Sequence, residues 1–169
     1  VIIGNDGGVD LSLDGGKTWF APPMPWSQFY NVDVDDRLPY HVGGTVQDEG
    51  TAMGPSDSLR AEGIVLGDWK TAGGGEAGDF VFDRAQEGVV YAGEYGGIMT
   101  RWEEGSASER NISYYPTNPS GHGAADLRVR FQWTAPLLAS RREPGVIYHG
   151  SNILLRSANG GETWQQVSP

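Results

Sequence analysis

Two eight-residue segments of this chain, Ser12-Leu13-Asp14-Gly15-Gly16-Lys17-Thr18-Trp19 and Ser157-Ala158-Asn159-Gly160-Gly161-Glu162-Thr163-Trp164, are copies of one turn. Ser, the Gly-Gly pair, Thr and Trp keep their places, and Asn159 answers Asp14. A repeated turn implies a repeated supersecondary unit, which constrains the fold before any single residue is weighed. The 26 glycines and the 6 Trp, 7 Tyr and 5 Phe among 169 residues suit short strands joined by tight turns. No long helical pattern interrupts them.

The repeat extends beyond the two turns. Val1-Ile2-Ile3-Gly4, His41-Val42-Gly43-Gly44, Val90-Tyr91-Ala92-Gly93 and Ile147-Tyr148-His149-Gly150 align as one strand type. Their glycines recur at spacings near the roughly 40–50 residues of a four-stranded propeller blade. A strand precedes three of these runs, at 29–34, 79–83 and 135–139, and a hairpin strand follows all four, at 9–13, 51–54, 98–102 and 153–157. The expected fold is therefore all-β. It is a single partial β-propeller domain over 1–169, with about four blades of four-stranded antiparallel sheet, each ordered A, B, C, D. The first blade lacks strand A, and the box turns at 12–19 and 157–164 join C to D. Open sheet edges favour association, so self-association that completes a propeller is expected.

These residues resemble the Asp-box, or BNR-repeat, propellers. The pattern S-x-D-x-G-x-T-W is complete at Ser12, Asp14, Gly16, Thr18 and Trp19, and recurs with Asn at Ser157, Asn159, Gly161, Thr163 and Trp164. The chain looks most like bacterial sortilin-type and xyloglucanase-like members. Gly44-Thr45-Val46-Gln47-Asp48-Glu49-Gly50 is similar to their G-x-x-Q-D-N-G segment, with Glu49 in place of Asn. Arg130-Phe131-Gln132-Trp133-Thr134-Ala135-Pro136 is similar to R-F-x-W-x-A-P. The resemblance implies a propeller fold, but its members range from glycoside hydrolases to non-catalytic receptors, so activity must be argued from a site.

The boxes themselves read as structural. An Asx side chain accepts amides within its own turn, and Asn159 fills the place of Asp14 without an ionisable group. In a meandering blade the B–C turns and D–A connections share the face opposite the boxes. The B–C turns hold Asp6, Asp48 and Glu94, with Asp10 further along strand C. Reading Gly67 to Lys70 and 116–130 as D–A connections brings Trp69 and Trp133 to the same rim.

Carboxylates beside tryptophans suit a sugar, because an aromatic face covers pyranose C–H groups and paired acids can protonate a glycosidic oxygen and activate water. Asp6 in Asn-Asp-Gly-Gly resembles the catalytic Asp of xyloglucan-cleaving enzymes. Asp6 and Asp48 are thus the candidate catalytic pair, and Asp10, Trp69, Glu94 and Trp133 the candidate ligand-binding residues. The expected function is a glycoside hydrolase or glycan-binding module. The alternative is a non-catalytic sortilin-like propeller that captures a peptide or serves as a scaffold.

Other chemistries find less support. A sialidase needs a carboxylate-gripping arginine triad, and Arg101, Arg128 and Arg130 sit in no matching motif. Asp33, Asp35 and Asp36 open no calcium loop, the three histidines lack zinc-ligand spacing, and there is no cysteine. No metal or cofactor is expected. Gly73-Gly74-Gly75 lacks the Gly-Lys-Ser/Thr of a phosphate loop and reads as a flexible rim loop. A net charge of −10 disfavours nucleic acid, and no apolar run reaches the length of a membrane span. A chain without cysteine that opens directly in a strand is consistent with a processed or excised part of a secreted or periplasmic bacterial protein.

Overall fold

The computed structural model describes residues 1–5, 8–22, 27–115 and 118–169. Its strands form four antiparallel sheets, completed one after another along the chain. The first contains β1 (Ile2–Asn5) and β2 (Gly8–Leu11), extended by a bridge from Leu11 to Phe20. The second contains β3 (Phe29–Val34), β4 (His41–Val46) and β5 (Gly50–Pro55), with Lys70 bridging Met53 in the place of a fourth strand. The third is the meander β6 (Phe80–Phe82), β7 (Val89–Gly93), β8 (Met99–Glu103) and β9 (Ser108–Asn111). The fourth repeats it with β10 (Leu137–Ala139), β11 (Ile147–Gly150), β12 (Leu154–Ser157) and β13 (Gln165–Gln166). The described residues are thus all-β and blade-like, and form no closed propeller among themselves.

Sheet three shows why these sequences form blades. Along β7, Val90 and Ala92 enter a core with Met53, Phe80, Phe82 and Trp102 on the side of sheet two. The alternate residues Val89 and Tyr91 enter a second core with Met99, Ile112, Leu137, Ala139 and Ile147 on the side of sheet four. A strand with period-two side chains that is apolar on both faces needs a neighbour on each side. Each large side chain so buried contributes about 1.5–3 kcal/mol. Close approach is required where Phe80 crosses β4, since a Cβ on Gly43 would come 2.4 Å from the Phe80 ring.

Polar clamps repeat from sheet to sheet. Asp33 on β3 accepts the Phe82 N–H at 3.0 Å, and Asp79, just before β6, accepts the Leu137 N–H at 2.9 Å. Sheets two, three and four are therefore joined through their first strands. The sheets at either end of the series expose apolar groups, including Ile2 at 74% and Leu138 at 62% accessibility.

Two sequence expectations are corrected. Lys70 is the strand-D position of sheet two, so Gly67 to Lys70 completes the C–D connection and does not form the D–A connection. The Gly73-Gly74-Gly75 loop, which does connect D to A, is tied down. Thr51 Oγ1 donates to Gly73 O at 2.7 Å, and Gly74 N–H donates to Thr100 Oγ1 at 2.9 Å.

Candidate functional site

In the first box turn, Asp14 Oδ1 accepts the N–H groups of Lys17 and Thr18, both at 2.9 Å, and Oδ2 accepts Thr18 Oγ1 at 2.7 Å. Ser12 Oγ donates to Asp14 at 2.9 Å and accepts the Gly16 N–H at 2.7 Å. The hydroxyl and amide of Thr18 lead the donors that hold the Asp14 carboxyl down at about 2. The second turn reproduces this with Asn159, whose Oδ1 accepts the Thr163 N–H and whose Nδ2 donates to Thr163 Oγ1, both at 3.0 Å. Gly161 N–H reaches Ser157 Oγ at 2.9 Å. Trp164 Nε1 donates to Ile112 O at 2.7 Å and docks this turn on sheet three, whereas Trp19 remains 44% accessible. The Ser, Asx and Thr side chains of both boxes are thus bonded within their own turns.

The opposite rim is built from three successive sheets. The B–C turn of sheet three is a short 3₁₀ segment, Tyr95–Gly97, in which Gly97 has φ 76°. A Cβ on Gly97 would lie 2.2 Å from the Phe131 ring, so only glycine lets the connection into sheet four press onto this turn. Two residues on, Trp133 stacks on Tyr95, with ring centroids 5.0 Å apart and planes inclined by 10°. Trp133 Nε1 also donates to Tyr30 Oη at 3.1 Å, and Tyr30 Oη donates to Gln47 Oε1 at 3.0 Å on sheet two. Trp133 is held at two points and still exposes 53% of its surface.

Carboxylates gather beside this aromatic pair. Asp48 occupies a left-handed turn position at φ 62°, and its N–H donates to Glu76 Oε2 at 2.7 Å. Burial pushes the Glu94 carboxyl above its ordinary range, and the negative charge of Glu76 adds to the shift. Asp79 is raised as well, first by burial and then by Asp33. Glu76, Tyr95, Gly96, Pro119, Ser120, Phe131 and Trp133 line a cleft of about 460 Å³, within the size range of ligand pockets. Below it, Phe131 lies on His149, centroids 4.8 Å apart. Burial holds that imidazole down at about 4, so it is neutral near pH 7.

Of the candidate residues, Asp48, Glu94 and Trp133 are brought to this rim. Asp6 lies outside the described residues. Asp10 is on β2, where it accepts Asn5 Nδ2 at 3.1 Å. Trp69 is not on the rim. It packs on Gly54 toward the C–D end of sheet two, because the D strand begins later than expected. Arg101 is paired with Glu103 on the box side, while Arg128 lies 5.0 Å over Tyr115, so the three arginines form no common grip. Asp33 and Asp36 pair with Arg84, and Asp35 with Arg37. No group of three or more His, Cys, Asp or Glu side chains could hold a metal among the described residues. None of their helices is long and apolar enough to cross a membrane.

Sequence reasoning missed Glu76, Tyr30 and Tyr95 as site residues. Glu76 directly follows the triple glycine, and placing strand D at Lys70 would have brought it to the rim. Tyr30 carries no local signal, since its partner is 103 residues away. Comparison with protein-family models and with curated proteins finds no match to this chain, so its site is read from its own residues.

Proposed function

We propose that this chain is part of an Asp-box β-propeller whose B–C rim binds a glycan against Trp133, Tyr95, Glu76 and Glu94. The observation that carries this reading is Trp133, a large ring fixed by a stack and a hydrogen bond yet more than half exposed beside carboxylates. A fixed aromatic platform lowers the ordering cost of binding, and neighbouring carboxylates accept sugar hydroxyls. In a hydrolytic form of this reading, Glu94 is the general acid, because a carboxyl raised by burial and a like charge is still protonated where an ordinary one has ionised.

Calorimetric titration with neutral and charged oligosaccharides tests the proposal. Trp133→Ala is expected to weaken binding by about tenfold or more without unfolding the protein. Glycan binding that survives this change, or no binding to any glycan by the parent protein, overturns it. Glu94→Gln separates turnover from binding, since loss of glycan cleavage with retained affinity assigns the proton to Glu94. The sortilin-like alternative draws on the same unpaired carboxylates, and binding of a basic peptide without any glycan binding would favour it.

A further inference from the structure

The cleft has a chemical bias beyond its fit to a sugar ring. Every ion pair among the described residues has its acid toward the A–B and C–D end of the sheets, at Asp33, Asp35, Asp36, Asp68, Glu103, Glu104 or Glu162. At the opposite end Asp48, Glu49, Glu76 and Glu94 have no Lys or Arg within ion-pair distance among the described residues. The charge of Glu76 already disfavours ionisation of Glu94, so a cation brought between them relieves a repulsion as well as gaining an attraction. The Tyr95–Trp133 stack adds ring faces that attract cations. No Lys or Arg is among the residues that line the cleft, so an anionic sugar such as a uronate or sialate meets Glu76 there and no cation.

We propose that the Tyr95–Trp133 cleft takes an amine-bearing sugar, a glucosamine unit of an oligosaccharide, with its ring face on Trp133 and its ammonium at Glu76 and Glu94. This rests on the glycan reading above and specifies its ligand. The free amine is what distinguishes the ligand, because N-acetylation keeps the ring and removes the charge.

The test compares a glucosamine tetramer, its fully N-acetylated form and a cellotetraose by calorimetry at a pH where the amine is protonated. The expected result is about tenfold tighter binding of the free amine than of either neutral tetramer, in line with a partly exposed charge contact. That preference is expected to fall with added salt and to vanish in Glu76→Gln/Glu94→Gln, whose amide oxygens can still accept sugar hydroxyls and the Asp48 N–H. Equal binding of all three tetramers overturns the amine assignment and leaves the glycan reading standing. Binding of none overturns both. An amine preference that persists in the double variant overturns the placement at these two residues. Full displacement of the glucosamine tetramer by a lysine tetrapeptide at equal concentration would overturn the requirement for a sugar ring.

Discussion

The two ends of the sheets carry similar residue types in opposite electrostatic states. At the A–B and C–D end, the carboxylates of Asp83 and Glu104 are consumed by structure. Asp83 accepts N–H groups of Ala85, Gln86 and Gly145 and the hydroxyl of Tyr91 at 3.0–3.3 Å, and Glu104 joins Arg37 and Lys70. At the B–C end, Glu76 and Glu94 approach one another without a cation among the described residues, next to an exposed tryptophan. Acids whose partners are supplied by the protein stabilise the fold, while acids left to repel one another weaken it unless a ligand compensates. The contrast locates function more sharply than either box motif.

The contrast breaks most visibly at Asp83. Its replacement by Ala leaves buried donors unsatisfied and is expected to cost about 3 kcal/mol, read as a lower urea midpoint. A loss below about 1 kcal/mol would mean that this end is not stabilised by its acids.

Next in size is the pH dependence of the floor beneath the rim. The folded-state value of His149 is held at about 4, below the ordinary 6.5, so the unfolded chain binds this proton first as the solution is acidified. The contribution is present above pH 6.5 and is lost as pH falls toward 4, amounting to about 3 kcal/mol for complete loss. Denaturant titrations of the parent and His149→Phe at pH 7 and pH 4.5 check this. The variant is expected to lose less stability between those two values, and equal losses would remove His149 as the cause.

Two smaller substitutions sharpen the comparison by moving in opposite directions. Asp35 is held below its usual range, against its burial, by the His41 N–H and by Arg37, so Asp35→Asn should lower the melting temperature at pH 7. Glu94 is raised, so its ionisation weakens the fold as pH climbs through its folded value. Glu94→Gln should therefore leave the melting temperature at pH 7 unchanged or higher. If both variants melt lower, the two ends do not differ in the proposed way. The smallest effect belongs to Asp14→Asn, which recreates the Asn159 turn. It should change stability little at pH 7 and reduce the loss seen as pH falls from the ordinary carboxylate range toward about 2.

Much of the blade pattern is legible along the chain because β periodicity and Gly-rich turns are local. The aligned Gly4, Gly43, Gly93 and Gly150 runs correspond to β1, β4, β7 and β11. The misreading at Trp69 has a physical origin. A strand reduced to the single bridging residue Lys70 has no periodicity to detect, so the sequence alone does not show at which end of the sheet Gly67 to Lys70 lies. Trp133 and Glu94 could be placed on one rim from strand order alone. Their partners could not, because Tyr30 and Glu76 reach the site through contacts between different sheets.

By itself the sequence determined the repeating unit, the all-β class and the internal role of the box turns, since each depends on residues within one hairpin. Only tertiary structure decided which carboxylates find cations and which remain opposed, and which tryptophan stands exposed as a platform. Those outcomes depend on the stacking of sheets, where burial and the sum of nearby charges are set by residues far apart in the chain.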